Sequence, residues 1–403
     1  MPAGNYWEDD ELEDRLYHLR EREKHGSHNP RTDYMLWPFQ RRRRAFLLFV
    51  GIFVLWWYFT SGSERPVKVD WSRFAYSQYA TDTHSMCNAF MVFEALHRLG
   101  SKADRVLLYP QEWVGASPRY DRNAQLMHFA QKKYNVKLEP IQLLGADGKA
   151  TPGTLDEPSD WDVSVTKLRA FDLVQYDRVL HLDSDIVLQQ HMDELFMLPK
   201  TQVAMPRAYW SKDGNGPALT SLIMLLEPNP REVQAMMETL RHWRMQPDYS
   251  NHKKYDMDLL NYRFDKSAMV LPHRPYAMLS SEFRNSDHSV YLGTVNAHNL
   301  DPRTRWDPKK ALKEAKLIHF SDWPLPKPWV MWPIEGLREI QPDCGGAKTG
   351  SCVDREIWKG LYDDFRKRRK DLCRILSVPA PDNWWLWKNE TGYVQAVSGP
   401  RGG

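Results

Sequence analysis

The sequence predicts an α/β fold with a mixed, mainly parallel sheet, preceded by a single transmembrane helix, and three observations carry that prediction. From residue 74 onward, segments of period two alternate with segments of period 3.6, the rhythm of strand–helix–strand units. Upstream of them, AFLLFVGIFVLWWYFT runs from Ala45 to Thr60 without a charge, directly behind Arg41, Arg42, Arg43 and Arg44. Between them in character is HLDSDIVL (residues 181–188), which sets Asp183 and Asp185 one residue apart at the end of an apolar strand.

The apolar run comes first along the chain. A spanning helix needs roughly 17–20 residues, so Ser61 to Ser63 and snorkelling arginines complete the crossing. Trp56, Trp57 and Tyr58 suit an interfacial belt and not a cleavage site, so the segment reads as an uncleaved signal-anchor. The four arginines stay cytoplasmic under the positive-inside rule, giving a type II, single-pass topology. The expected organisation is a cytoplasmic tail (1–44), the anchor (45–63), a short stem (64–70), a folded lumenal domain (71–335) and a C-terminal lumenal extension (336–403). A short span fits the thinner membranes of the early secretory pathway.

Charge and cysteine content fit a lumenal body. Lys and Arg total 55 against 52 Asp and Glu, so no overall field draws in nucleic acid, and none is expected as a partner. Cys344 and Cys352 bracket CGGAKTGSC and are placed to close a small disulfide loop, Cys87 lies on an apolar helix face, and no CxxC pair points to structural zinc. Asn389-Glu390-Thr391 is a glycosylation sequon.

The alternation then yields the elements in order. Residues 74–80 read as a strand, 85–99 as a helix stopped by Gly100, 105–109 as a strand, 122–134 as a helix and 137–144 as a strand. After a Gly/Pro/Asp-rich loop, 163–174 read as a helix and 178–182 as the strand that delivers HLDSD. Strands come next at 202–205 and 222–226, then a helix opened by Asn229 and Pro230, a helix at 255–264, strands at 268–271 and 316–320 that finish the core, and a basic helix around 354–374.

Ligands of open α/β sheets bind at the carboxyl ends of strands, which is where Asp183 and Asp185 fall. Two carboxylates in apolar surroundings need a compensating cation. A divalent metal supplies it, Mg²⁺ or Mn²⁺ for carboxylates alone and Mn²⁺ when an imidazole joins them. A bare DxD also suits a turn that caps backbone N–H groups, or a phosphatase-type Asp nucleophile.

TKLRAFDLVQYDRVLHLDSDIVL (166–188) resembles the glycogenin-like, family 8 retaining glycosyltransferases, in which a TKL helix leads to a strand ending in DxD. YATDTHSMCNAFMVFEALHRLG (79–100), YDMDLLN (255–261) and HFSDWPLPKPW (319–329) are similar to three further motifs of that family, in the same order. The resemblance implies a GT-A type nucleotide-sugar-binding fold and a UDP-sugar donor held through Mn²⁺. It implies Asp183, Asp185 and His319 as metal ligands; Tyr79, Thr81, Asp82, Asp183, Ser184, Asp185 and Lys327 at the donor; and Lys167, Asp256 and Asp258 as catalytic candidates. Asp256 and Asp258 stand two residues apart and do not share a helix face, so one of them is expected to reach the reacting sugar.

The chain departs from that pattern. Leu219-Thr220-Ser221-Leu222 replaces an Asn-Ser-Gly segment, Met257 replaces a Gln, and two extra residues separate His319 from Lys327. The wording of residues 87–110 and 255–261 looks closest to fungal Golgi N-acetylglucosaminyltransferases, which implies the Golgi membrane as location, UDP-GlcNAc as donor, UDP-glucose next, and a glycan acceptor. Two other readings stay open: a membrane-tethered, non-catalytic glycan-binding protein, and a DxD phosphatase-like enzyme.

Overall fold

Seven strands build the central sheet: β1 (Phe74–Tyr79), β2 (Asp104–Pro110), β3 (Val136–Ile141), β4 (Arg178–Leu182), β6 (Val203–Pro206), β7 (Ile223–Leu226) and β8 (Met269–Leu271), in the order β3-β2-β1-β4-β7-β6-β8. The computed structural model describes residues 51, 69–145, 163–211, 217–249, 253–293, 305–322, 327–345 and 351–380. The chain divides into the units Met1–Val69 and Asp70–Gly403, and the sheets and helices of the fold belong to the second. The expected anchor (45–63, apart from Gly51), the tail, the sequon at Asn389 and the tryptophans at 384, 385 and 387 lie outside the described residues. Among the described residues no helix is long and apolar enough to cross a membrane.

Strands β3, β2, β1 and β4 are mutually parallel, β7 is antiparallel to both β4 and β6, and β6 is parallel to β8. The sheet is therefore mixed but mainly parallel, and β3, β2, β1 and β4 carry the parallel part that the alternation of periods predicts. The chain moves outward from β1 to β2 and β3, then returns to place β4 on the other side of β1. The gap between the ends of β1 and β4 is thus a topological switch point, the place where such sheets form a ligand crevice.

Both faces of the sheet are covered. Along β2, Leu107 and Tyr109 enter one core with helix α1 (Thr83–Arg98) and helix α2 (Arg122–Tyr134), while Val106 and Leu108 enter the other. That second core holds α3 (Pro230–Arg244), α4 (Asp256–Phe264) and the segment Ser164–Asp172. Strands covered on both faces read as near-continuous apolar runs, which explains why IMLL and RVLHL were recognisable. Helix α1 starts where Asp82 accepts the backbone N–H of Ser85 at 2.7 Å and stops before Gly100, whose φ of +76° few other residues adopt.

One expectation needs correction, and three others gain detail. Residues 163–174 do not form an α-helix: Ser164–Asp172 is a 3₁₀ helix. Core contacts surround this segment, and Thr166 both donates to and accepts from the backbone of Leu144, at 2.9 and 3.0 Å, so tertiary fit overrides the 3.6-residue period. The strand expected at 316–320 is present and packs in the core, but outside the main sheet. It is β10 (Leu317–His319), which lies antiparallel to β5 (Ile186–Leu188) and parallel to β9 (Met278–Leu279) in a sheet of its own. The basic helix runs as α5 (Val353–Arg368) and ends in a π-helical turn, Arg369–Cys373. Cys87 is buried as expected but bonded to Cys373 across 286 residues, while Cys344 and Cys352 form the small loop. In the chain-entropy account a closure as long as the first contributes about 4 kcal/mol or more.

Candidate active site

The site grows from the turn between β4 and β5. Buried Gln78, on β1, donates from Nε2 to the carbonyl of Leu182 at 2.7 Å and to that of Asp183 at 3.3 Å, and the Asp183 N–H is held by the carbonyl of Leu222 at 2.9 Å. These bonds pin the end of β4 from both neighbouring strands and aim two carboxylates into the switch point. Ser184, between them, is half-buried.

The second sheet brings the imidazole. His319 pairs in register with Ile186, and the next residue, Phe320, donates its N–H to the carbonyl of Asp185 at 2.9 Å. His319 Nε2 comes to rest 3.2 Å from Asp185 Oδ1 and 3.7 Å from Asp183 Oδ2. One ligand atom from each of Asp183, Asp185 and His319 lies within 4.8 Å of the others, so a single divalent cation can be reached by all three. Two hard carboxylate oxygens and one borderline imidazole nitrogen fit Mn²⁺ or a similar ion.

Each carboxylate also has a lysine of its own. Lys167, almost fully buried, donates to Asp183 Oδ1 at 2.7 Å and to Ser221 Oγ at 3.1 Å, and lies 3.1 Å from Asp256 Oδ2. Burial is the largest single influence on the ammonium and opposes its charge, but Asp183 and Asp256 together outweigh it and hold the Lys167 pKa above its ordinary value. Lys327, about one-third exposed, donates to Asp185 Oδ2 and to the carbonyl of Phe320.

The two aspartates consequently differ. Burial pushes Asp183 up, and Lys167 only partly offsets it while Asp185 adds to it. Burial also works against Asp185, but His319 and Lys327 together hold its carboxyl well below the usual range.

Asp256 forms the floor. It accepts from Ser164 Oγ at 2.6 Å and from Ser221 Oγ at 2.5 Å, and with Lys167 these contacts overcome burial and keep its pKa below the ordinary value. Asp258, offered with it as a catalytic candidate, does not join the cluster. Its side chain accepts the Tyr255 N–H at 3.0 Å and pairs with Lys254 at 3.1 Å, capping its own helix on the outside.

The remaining sequence candidates line the β1 side. Tyr79 stacks on His181 with ring centroids 5.8 Å apart, and burial holds its phenol protonated well above the usual range. His181 is pushed down to about 3 by burial and is neutral, sharing a 2.9 Å hydrogen bond with Ser77. Thr81 and Asp82 form the turn into α1, where the Thr81 N–H donates to Ser85 Oγ at 2.9 Å. Sequence reasoning missed Gln78, Ser164 and Ser221 as members of the site. Only Ser221 carried a signal, as part of the departure at Leu219 to Leu222.

Comparison with known proteins adds the class. No family model matches the chain. Glucose N-acetyltransferase 1 of Aspergillus fumigatus is 46% identical over 356 residues, covering 84% of this chain and 89% of that protein. The protein of the same name from Gibberella zeae is 46% identical over 324 residues, 79% of this chain and 66% of its own. Among solved structures, the galactosyltransferase LgtC in complex with donor and acceptor sugar analogues aligns with a TM-score of 0.44 at 14% identity, covering 77% of this chain and 98% of that one. The chain is an enzyme of the glycosyltransferase class. Within that class it belongs to the glucose N-acetyltransferase 1 family.

Proposed function

We propose that the chain transfers N-acetylglucosamine from UDP-GlcNAc to a glycan acceptor, with retention of anomeric configuration, in a Mn²⁺-dependent reaction on a GT-A type, glycogenin-like domain. UDP-glucose is the next donor in order of preference. The observation that carries the reading is the convergence of Asp183, Asp185 and His319 at the switch point of the sheet, in a chain 46% identical to proteins named glucose N-acetyltransferase 1.

Asp183, Asp185 and His319 would hold the metal, which when bound supplies Lewis-acid neutralisation of the leaving diphosphate. Lys327 is the more exposed cation of the site: tied to one carboxylate, it is placed to exchange Asp185 for a phosphate oxygen. Lys167 stays paired with Asp183 and Asp256 and, with Ser164 and Ser221, holds the Asp256 carboxyl below its ordinary pKa beneath the sugar. No carboxylate stands free as a covalent nucleophile within the cluster, since Asp256 is taken up by Ser164, Ser221 and Lys167. A front-face displacement assisted by the departing diphosphate is consistent with that arrangement. Tyr79, Thr81 and Asp82 flank the base and ribose in this reading. The charge-free run behind Arg41 to Arg44 supports a type II placement in the Golgi membrane, with the site in the lumen.

Purified full chain is offered UDP-GlcNAc, UDP-glucose and UDP-galactose with and without Mn²⁺, and released UDP is measured. Turnover of UDP-GlcNAc that is abolished by chelation and restored by Mn²⁺ supports the reading. Turnover of another UDP-sugar in preference, or turnover indifferent to chelation, overturns it.

A further inference from the structure

Arg369 stands at the end of α5, and its side chain is wholly buried. Its Nη1 donates to Asn88 Oδ1 and to the carbonyl of His84 at 3.3 Å, and its Nη2 shares a 2.8 Å hydrogen bond with His84 Nδ1. On its other side the guanidinium lies over the ring of Trp329, 5.7 Å from the centroid. One residue therefore touches the first turns of α1 and the segment that carries Lys327.

The contacts around it run along the same line. His84, Cys87, Asn88, Met91 and Glu94 recur at three- and four-residue spacing along one stripe of α1. Arg369 meets His84 and Asn88, Cys373 is bonded to Cys87, and Arg368 meets the Met91 carbonyl and Glu94. One turn earlier on the same side, α5 sets Phe365 against Phe320 and Trp329, with ring centroids 5.1 and 6.3 Å apart. Phe320 is the residue after the candidate ligand His319. The start of α1 comes directly after the Thr81–Asp82 turn at the end of β1.

A contact needed only for stability would be met as well by an apolar side chain, since burying a guanidinium carries a large desolvation cost. Arginine is distinguished by a rigid fork that fixes direction and distance on one edge while its face stacks on an aromatic ring.

We propose that Arg369 is a positioning residue for the donor: it sets the separation between the α1 turn on the nucleoside side and the Lys327-to-Trp329 segment on the diphosphate side. The proposal rests on the reading of the site given under the proposed function. On this view the C-terminal helix is part of the frame of the donor site, and the loss of Arg369 loosens donor binding without removing any group that touches reacting atoms.

The test uses the full chain with Arg369→Met, Arg369→Lys and His84→Ala, measuring kcat and KM for UDP-GlcNAc, the Kd of UDP with Mn²⁺ by calorimetry, and thermal melting. Arg369→Met is expected to raise KM and the UDP Kd together by about tenfold, the scale of a lost charge-assisted hydrogen bond, with kcat within about threefold of the parent. Arg369→Lys falls between the two. His84→Ala, which removes one edge contact at the surface of the same clamp, raises KM and Kd by about threefold with unchanged melting, and it decides the matter if Arg369→Met does not fold. Unchanged KM and Kd in the folded variants, or a fall in kcat at constant KM, overturns the proposal. Absence of UDP binding and turnover in the parent chain would instead overturn the reading of the site itself.

Discussion

The two aspartates of HLDSD stand one residue apart and live in different regions of the molecule. Asp183 faces Lys167, which comes from the Ser164–Asp172 segment, is almost fully buried and is shared with Asp256 at the start of α4. Asp185 faces His319 and Lys327, which arrive from the second sheet and the segment after it. The first region is a closed ion network inside the core, while the second opens to solvent at Lys327. The difference separates two tasks of the lysines: Lys167 keeps charge in place within the fold behind Asp183, and Lys327 keeps charge available for exchange with phosphate beside Asp185, while both aspartates share the candidate metal position with His319.

The largest expected effect breaks the exchangeable side. Asp185→Ala removes a candidate metal ligand, and metal-dependent turnover of UDP-sugar should fall by about a thousandfold, read as UDP release over a Mn²⁺ titration. Its stability should change little, because Lys327 is then free to reach solvent. Normal turnover in a folded Asp185→Ala protein would remove the metal site from the mechanism.

The two lysines sharpen the contrast. Lys167→Met leaves Asp183 and Asp256 buried and uncompensated, and breaking a buried network by removing one partner costs about 3–5 kcal/mol, measurable as a lowered midpoint in denaturant. Lys327→Met breaks a pair that is one-third exposed, where about 1 kcal/mol or less is at stake. Its consequence should be kinetic, with kcat falling by about one to two orders of magnitude. Equal destabilisation by the two variants would erase the distinction between closed and open sides. Ser221→Ala is a smaller version of the Lys167 experiment. It withdraws one hydroxyl from both Asp256 and Lys167, at a cost of about 1–2 kcal/mol, again read in denaturant.

Legibility in the sequence divides along the same boundary between local and distant contacts. The strand that delivers Asp183, the helix that begins at Asp256 and the first strand and helix of the domain are local patterns, carried by period, caps and glycine stops, and those were readable to within a residue or two. The triad Asp183, Asp185 and His319 was reached through a resemblance of motifs, because nothing in the spacing of residues 183 and 319 says that β10 pairs with β5. The second sheet, the bond between Cys87 and Cys373 and the clamp at Arg369 join segments far apart in sequence, and their side chains look ordinary in place: a cysteine on an apolar face, an arginine in a basic run. Ser164 stayed hidden for another reason. The 3₁₀ winding that turns Ser164 toward Asp256 and Lys167 toward Asp183 is imposed by packing and not by the residues of the segment.

The smallest expected effect lies on α4 and tests whether spacing alone can assign a role. Asp256 and Asp258 are both acidic residues of the first turn, and the sequence offers both for catalysis. Asp256 is buried among Ser164, Ser221 and Lys167, whereas Asp258 closes the helix end on the Tyr255 N–H and meets Lys254 across one turn. A capping carboxylate replaced by a neutral side chain of the same shape costs about 0.5–2 kcal/mol, and the exposed pair with Lys254 adds about 0.3–0.5 kcal/mol. Asp258→Asn should therefore lower the melting temperature by a few degrees at most and leave kcat and KM for UDP-GlcNAc within about twofold, since its carboxylate is engaged by the Tyr255 N–H and Lys254 and stands outside the Asp183, Asp185 and His319 cluster. A loss of turnover in Asp258→Asn comparable with that in Asp256→Asn would mean that α4 presents both carboxylates to the donor, and that the closed region around Lys167 opens when the sugar binds.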